Sequence, residues 1–400
     1  MKRLVVVAGM ALGLLAAPAG AVDGVHWSSS DLATLDRWVD AAPLDALPRP
    51  STDALQAARD GTDRAMVDEA ADALALRLAR MQLLGAASAA QRSGWNIDDS
   101  DEALPLEVVL AAALATDTLD RFFAQLRPTH PDYAALRAAY GTETGAARRR
   151  TIGRNMERWR WMPRELGQDY VLVNAARFEA YLWRQGSLDS TWRVIVGRQR
   201  TPTPVFQAQI EGVVLNPWWE VPASIVRESV GALVRNSPAA ARARGYVVEN
   251  GRYRQRPGPN NALGQMKLVM PNPYSVYMHD TPNRNLFDEE VRSFSHGCIR
   301  TGDAIGFATT LLEGVASREE VDAILASGQT RTLAVAHPMP VYITYFTAVS
   351  DGAGGVAVLD DIYGRDGRIA VATEDTGRTF MQALATAPQD DAELAQAIEC

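Results

Sequence analysis

The chain has 400 residues, of which 47% are hydrophobic and 22% charged, and its formal net charge is −8. This length accommodates two or three domains with sizeable cores, and the composition is ordinary for a globular protein. The acidic balance argues against nucleic acid or an anionic membrane surface as the main partner, because both carry negative charge.

The first 21 residues have the pattern of a secretory signal peptide. Lys2 and Arg3 begin it, an apolar run extends over residues 4–17, and small residues at 19–21 form a cleavage site. An uncleaved membrane anchor is the alternative, but the run is shorter than the ~20 apolar residues of a membrane span. We therefore expect an exported protein with no transmembrane span after signal cleavage.

Residues 22–153 are predicted to form a helical bundle that serves as support. Apolar residues recur at helical spacing around 68–80 and along 106–126, and a short third helix is indicated near 133–140. His26 and His130 have no ligand-type neighbours in this region, and we interpret them as surface or capping residues. Three arginines at 148–150 are interpreted as a solvated linker, with contact to an acidic polymer as the alternative.

After residue 169 the pattern changes to the period of two that is typical of strands. The predicted strands are 170–174, 178–183, 192–196, 205–210, 212–216, 276–279 and 341–346, followed by a hairpin through 351–355. The chain is therefore predicted to be α+β, with a mostly β sandwich or open barrel after the helices. A helical insert at about 219–260 is interpreted as a lid over a cleft, with a surface decoration as the alternative.

A thiol nucleophile is the first interpretation of the motif Ser295-His296-Gly297-Cys298-Ile299-Arg300. Cys298 follows two residues after His296 and 19 residues after His279, which ends a predicted strand. A neighbouring imidazole lowers the pKa of a thiol and accepts its proton. Asp303 is predicted to cap a following helix, whose dipole would favour a thiolate at Cys298.

Three other interpretations of this cysteine are weighed. Cys298 would be inert if it were simply buried, but its polar, glycine-containing surroundings argue against that. A disulfide with Cys400 is disfavoured because it would remove the thiol, and because Cys400 ends a polar tail. A zinc site of His279, His296 and Cys298 has suitable ligand types but not the spacing of a structural zinc motif. We therefore predict no metal and no cofactor.

The same motif resembles the signature of the L,D-transpeptidases, which cross-link bacterial peptidoglycan. Further blocks resemble the large, scaffold-bearing branch of that family: Glu157-Arg158-Trp159-Arg160-Trp161, Trp219-Glu220-Val221-Pro222, Asn261-Ala262-Leu263-Gly264, the stretch 271–282, and Asp361-Ile362-Tyr363-Gly364-Arg365-Asp366. The resemblance is strong from about residue 154 to 366 and weak before it.

The resemblance implies a role for each residue of the motif. Cys298 would be the nucleophile and His279 the general base and acid, with the imidazole steadied by the backbone carbonyl of Asp280. The N–H groups of Gly297 and Cys298 would form the oxyanion hole, and His296 would be a supporting residue.

The remaining residues singled out lie around that motif. Ser295 is a supporting residue, and Arg300 is expected to orient the cysteine or to bind a carboxylate of the peptide stem. Trp219, Tyr277 and Trp218 are candidate walls of the substrate cleft. His337 is interpreted as structural.

The predicted domains are a signal peptide (1–21), a helical scaffold (22–153), a catalytic domain (154–350, with the insert at 219–260), and a hairpin with a polar tail (351–400). Tyr140 and Met156 are only 16 positions apart in the sequence, too close for a separate peptidoglycan-binding module between them. The expected location is the periplasm.

Peptidoglycan stems, other cell-wall synthesis enzymes and carbapenem inhibitors are the partners that the resemblance implies. The sequence leaves open whether a second stem, water, a D-amino acid or a protein lysine accepts the acyl group. A non-catalytic wall-binding protein is the remaining alternative, disfavoured because the motif is intact.

Overall fold

The structure is a computed structural model in which residues 26–371 are described. The predicted signal peptide and the polar tail with Cys400 lie outside these residues, and the predicted domain boundaries stay predictions. The described residues divide into two compact units. The first comprises 26–42, 49–82 and 103–127, and the second comprises 43–48, 83–102 and 128–371.

The first unit is helical, as the apolar periodicity predicts. Its helices are α1 (Ser29–Ala41), α2 (Asp53–Asp60), α3 (Arg64–Leu84, which continues into the second unit), α4 (Leu106–Ala115) and α5 (Leu119–Gln125). A capping box begins α1, in which the Ser28 hydroxyl accepts the N–H of Asp31 and the Asp31 carboxylate accepts the N–H of Ser28. The apolar run 106–126 is two helices rather than one, because Asp117 has a φ of 53° and breaks the helical path between them.

The second unit contains the remaining elements. Its helices are α6 (Pro131–Thr142), α7 (Ala146–Trp159), α8 (Ala223–Ile225), α9 (Gly231–Asn236), α10 (Pro238–Ala243), α11 (Ala304–Leu311) and α12 (Arg318–Ser327). Its strands are β1 (Trp95–Asn96), β2 (Tyr170–Asn174), β3 (Glu179–Arg184), β4 (Ser187–Gly197), β5 (Val205–Leu215), β6 (Trp219–Glu220), β7 (Tyr246–Glu249), β8 (Arg252–Gln255), β9 (Met266–Val269), β10 (Met278–His279), β11 (Ser293–Ser295), β12 (Ile299–Thr301), β13 (Arg331–Thr344), β14 (Ala348–Ser350) and β15 (Val356–Val358).

Eight of these strands form a closed ring. Their order is β5-β13-β2-β3-β4-β12-β10-β9, and β9 pairs again with β5. The mostly β architecture that the sequence predicts is therefore confirmed, and the second pairing of β9 makes it a closed barrel rather than a sandwich or an open one. The predicted strands 205–210 and 212–216 are the single strand β5. A Cβ at Gly212 would lie 2.5 Å from the carbonyl oxygen of Leu333 on β13, so a glycine is needed at that close approach.

The interpretation of the arginine run as a linker is wrong, because these residues lie in α7. Ile152, Met156 and Trp159 recur along one face of this helix and are buried. The cluster of buried apolar side chains that includes them also includes residues of α6 and of the barrel strands. Arg148 forms an ion pair with Glu143 at 2.9 Å.

The histidines outside the motif have structural contacts. His130 caps α6 by accepting the N–H of Asp132 at 3.2 Å, and its ring stacks on Trp159 with centroids 4.2 Å apart. Burial lowers the pKa of His130 to about 3, so it is neutral. His26 lies 2.6 Å from the Asp68 carboxylate, and His337 is exposed on β13.

The insert has its own small core. The strands β6, β8 and β7 form a three-stranded sheet, and the helices α8 to α10 pack beside it. Trp219, Val221, Val230 and Leu263 are buried together in this core. Between α8 and α9 the chain forms a π-helix over Val226–Val230. No helix within residues 26–371 is long and apolar enough to cross a membrane.

Candidate active site

Three neighbouring strands bring Lys267, His279 and Arg300 side by side on one face of the barrel wall. His279 on β10 pairs with Arg300 on β12 and with Lys267 on β9. Directly paired residues project to the same face of a sheet, and successive residues project to opposite faces. Met278 and Ile299, the alternate residues, are fully buried in the core. Along these strands, alternate residues such as Met278 and Ile299 therefore face the core, whereas His279 and its paired residues face the opposite side.

The imidazole of His279 is oriented by a backbone carbonyl. Its Nδ1 lies 2.5 Å from the carbonyl oxygen of Asp280, and a carbonyl only accepts hydrogen bonds. Nδ1 must therefore carry the proton, which leaves a lone pair on Nε2. The ring is 5% exposed, so few water molecules compete for that lone pair.

His279 is neutral in this environment. Burial, and then the positive charges of Arg300 and Lys267, lower its pKa to about 3. With Cys298 disulfide-bonded, no thiolate charge faces this ring, so the activated thiolate that the sequence predicts stays a prediction. The arrangement suits general-base catalysis, in which the imidazole takes the proton as the sulfur bonds to carbon.

The position of α11 argues against the predicted effect of a helix dipole on Cys298. Asp303 does cap α11, accepting the N–H of Gly306 at 3.2 Å. Strand β12 lies between Cys298 and this helix, however, and three extended residues span roughly 10 Å. The dipole effect is confined to about the first helical turn.

The loop before Cys298 is fixed by Ser295. The Ser295 hydroxyl donates to the carbonyl of Cys298 at 2.5 Å and accepts the N–H of Gly297 at 3.1 Å. Gly297 has a φ of 121°, which favours glycine. Because its N–H is engaged by Ser295, Gly297 does not supply an oxyanion donor in this conformation. The amide directed at the sulfur is that of Tyr277, at 3.3 Å from Cys298 Sγ.

A second layer, which sequence reasoning missed, holds this loop in place. Thr203 donates its hydroxyl to the carbonyl of Gly297 at 2.8 Å and accepts the N–H of Gly197 at 2.9 Å. Tyr363 donates to the carbonyl of Gly197 at 2.6 Å, and Arg365 donates to that of Thr203 at 3.2 Å. The only sequence signal for this layer was the block 361–366, whose position beside the loop could not be inferred.

His296 faces the insert. Its Nε2 lies 2.8 Å from a carboxylate oxygen of Glu228, in the π-helical segment, and Arg198 contacts both side chains. His296 therefore joins the loop before Cys298 to the predicted lid. Glu228 and Arg198 were not singled out in the sequence.

The aromatic residues predicted as cleft walls differ in environment. Trp219 is 6% exposed within the core of the insert, so its expected place in an open cleft wall is wrong in this structure. Tyr277 is half-buried, with the Nζ of Lys267 3.8 Å from its ring centroid. The guanidinium of Arg254 lies 4.3 Å from the ring centroid of Trp218.

The carboxylate of Asp280 occupies a space left by a glycine. It accepts the N–H of Gln265 at 2.8 Å. Gly264 has a φ of 60°, and a Cβ there would lie 2.3 Å from Asp280 Oδ2. This close approach accounts for the glycine in the block 261–264.

We expect Gly264→Ala to lower the free energy of unfolding by about 2–3 kcal/mol, because the new methyl group displaces the Asp280 carboxylate. The matched control is Gly251→Ala, at a φ of 78° with no atom within 4 Å of the added Cβ. Backbone strain alone predicts a loss of about 1 kcal/mol there. Urea unfolding compares the two, and equal losses would contradict the steric explanation.

The state of the thiol corrects one expectation. Cys298 is disulfide-bonded in this structure, whereas the sequence analysis disfavoured a disulfide because of the polar tail. The chain's other cysteine, Cys400, lies outside the described residues. A thiol at position 298 is therefore available only after reduction.

We expect Cys298 to react with iodoacetamide only after treatment with a reductant, since a disulfide presents no thiolate. Peptide mass spectrometry identifies the alkylated residue. The Cys400→Ser protein should expose Cys298 without reductant. Alkylation of Cys298 in the untreated wild type would contradict a stable disulfide.

Within residues 26–371, no three His, Cys, Asp or Glu side chains gather in a group that could hold a metal ion.

Comparison with known families gives a match for each region. Residues 168–324 match the family model described as the L,D-transpeptidase catalytic domain (YkuD), and residues 26–139 match the model of a scaffold domain. Residues 168–324 are therefore similar to L,D-transpeptidase catalytic domains, and the resemblance identified in the sequence is confirmed. The matched stretch contains His279 and the motif at residues 295–300.

A curated relative from Haemophilus influenzae (strain ATCC 51907 / DSM 11121 / KW20 / Rd) is named a putative L,D-transpeptidase. It is 31% identical over 224 residues, which cover 50% of this chain and 45% of the relative. The matched region is thus less than half of that relative's length.

Among solved structures, an L,D-transpeptidase from Mycobacterium tuberculosis H37Rv is 13% identical with a TM-score of 0.23, covering 44% of this chain and 57% of that one. The catalytic domain of the E. faecium L,D-transpeptidase acylated by ertapenem is 12% identical with a TM-score of 0.24. The match covers 45% of this chain and 99% of that one.

Proposed function

We propose that this protein is a peptidoglycan L,D-transpeptidase that uses Cys298 as its nucleophile. The observation that carries this proposal is the pairing of β10 with β12 inside an L,D-transpeptidase domain. In support, the neutral His279, with its Nε2 lone pair, lies on β10, and the paired strand β12 begins one residue after Cys298.

The donor is a tetrapeptide stem that ends in D-alanine. The Cys298 sulfur attacks the carbonyl that follows the L-centre, and His279 Nε2 takes the thiol proton as the C–S bond forms. The tetrahedral intermediate collapses, the C–N bond breaks, and His279 returns the proton to the amine of the departing D-alanine. The product is a thioester on Cys298.

The amino group of a second stem then attacks the thioester. His279 takes a proton from this amine and delivers it to the departing sulfur, which regenerates the thiol and leaves a 3-3 cross-link. Water, a free D-amino acid or a protein lysine is the alternative acceptor, giving a carboxypeptidase, an exchange enzyme or a protein-attachment enzyme. Work on the cell wall would place the protein in the periplasm, alongside other wall-synthesis enzymes.

The test is mass analysis of purified stems after incubation with the reduced protein. Tetrapeptide and acceptor should yield dimers with loss of one D-alanine, and the Cys298→Ala protein should yield none. Loss of D-alanine without dimers would identify one of the alternative acceptors. A reduced wild type that leaves the stems intact would contradict the proposal and favour a non-catalytic wall-binding protein.

A further inference from the structure

Two cations of the reactive face have no assigned role in the mechanism. Lys267 and Arg300 lie on the strands that flank β10, each directly paired with His279. Adjacent strands are about 4.8 Å apart, so the backbones of the two residues are roughly 10 Å apart with the imidazole between them. Long side chains from both positions can reach a group bound over His279.

Neither cation has a counter-charge among the residues that the structure describes. No carboxylate within residues 26–371 lies within 4.0 Å of the charged nitrogens of Lys267 or Arg300, and Arg300 Nε is buried without a hydrogen-bond acceptor. The buried Arg158, by contrast, pairs with Asp366 at 2.7 Å. Burial lowers the pKa of both Lys267 and Arg300. Partly desolvated cations without counter-charge are costly unless an anion completes the site.

We propose that Lys267 and Arg300 form a subsite for a carboxylate of the donor peptide, which positions the stem over His279 and Cys298. This inference rests on the proposed function. The Tyr277 ring, 3.8 Å from the ammonium of Lys267, holds that side chain beside the site. Arg300 offers a planar guanidinium, whose geometry matches a carboxylate.

The arrangement couples substrate binding to the proton transfer. The positive charges of Lys267 and Arg300 oppose protonation of His279 in the empty site. A bound carboxylate offsets those charges, so the imidazolium forms at lower cost once the donor is in place. A peptide without the carboxylate leaves the charges of Lys267 and Arg300 uncompensated, so protonation of His279 stays costly and that peptide is a poorer substrate.

The rival role for the two cations is stabilisation of the sulfur of Cys298 itself. The two roles differ in their dependence on the substrate. If the cations bind a carboxylate, their removal weakens binding of the acidic peptide but not of the amidated one. If they stabilise the sulfur, their removal affects both peptides equally.

The experiment measures D-alanine release by the reduced protein from a tetrapeptide and from versions in which each internal carboxylate is amidated in turn. The proteins are the wild type, Lys267→Met and Lys267→Arg. Arg318→Met is the matched control, since Arg318 is an exposed cation on α12 that pairs with Asp322. Melting temperatures establish that each variant is folded.

We expect one amidation to raise KM about tenfold for the wild type and for Arg318→Met, as loss of a charge-assisted hydrogen bond predicts. Lys267→Met should have a similarly raised KM for the acidic peptide and little further change on amidation. Lys267→Arg should restore most of the affinity. The carboxylate subsite is refuted if no amidation raises KM. It is also refuted if amidation raises the KM of Lys267→Met by the same factor as that of the wild type.

A binding measurement tests the carboxylate subsite independently of the proposed catalytic function. Calorimetry of the acidic peptide with Cys298→Ala, and with Cys298→Ala combined with Lys267→Met, requires no turnover. About tenfold weaker binding by the double variant supports the subsite even if the wild type releases no D-alanine, which would itself refute the proposed function. Equal binding by the two proteins refutes the subsite.

Discussion

Replacement of Cys298 by alanine is expected to abolish D-alanine release and stem cross-linking, with a fall in rate on the order of 10³-fold or more. No other cysteine lies among residues 26–371, so no second thiol of that region can substitute. The motif loop should remain folded, because Ser295 bonds to the backbone of Gly297 and of residue 298 and not to the sulfur.

The matched control for this variant is Cys400→Ser, measured in reductant so that both proteins lack a disulfide. It should keep full activity and the melting temperature of the reduced wild type. Cross-linking retained by a normally folded Cys298→Ala protein would exclude Cys298 as the nucleophile. A large loss of activity in reduced Cys400→Ser would show that the second cysteine acts in catalysis.

A carbapenem is expected to acylate the reduced wild type once per chain, on Cys298. A strained β-lactam presents an amide carbonyl to the same nucleophile as the peptide stem, and opening its ring leaves a covalent thioester. His279 is the proposed acceptor of the thiol proton, so His279→Ala should form the adduct about 10²- to 10⁴-fold more slowly. Intact-mass spectra taken over time give the rates.

Two further variants make this comparison decisive. His337→Ala removes an exposed imidazole on β13 and should react at the rate of the wild type. His279→Gln fills most of the buried space without supplying the base, so it should be as slow as His279→Ala while keeping the stability of the fold. Equal rates with and without His279, or an adduct on another residue, would contradict the pairing of His279 with Cys298.

The sequence predicted much of the local structure and the candidate reactive groups. Strands such as β2 were predictable because a run of apolar residues indicates a buried strand, whichever strand it pairs with. The helical region was predictable from its apolar spacing. His279 and Cys298 could be singled out because an imidazole near a lone internal thiol has few other chemical uses.

The sequence was less informative where packing overrides local pattern. Residues 146–159 lack a strong apolar pattern, and the arginines at 148–150 were interpreted as a linker, but three side chains on one face suffice to bury a helix. The Gly297 amide looked available for catalysis, although the hydroxyl of Ser295 takes it. A hydrogen bond of this kind depends on the fold of the loop, which a list of residues does not encode.

Only the tertiary structure decided which distant segments meet at the site. The pairing of β9 with β10 and β12 places Lys267 and Arg300 on either side of His279, although residue 267 carries no motif signal. In the same way Tyr363 reaches the loop before Cys298 through Gly197. Periodicity shows which face of a strand is buried, but strand pairing depends on complementary contacts between segments far apart in the chain, so no local pattern could reveal it.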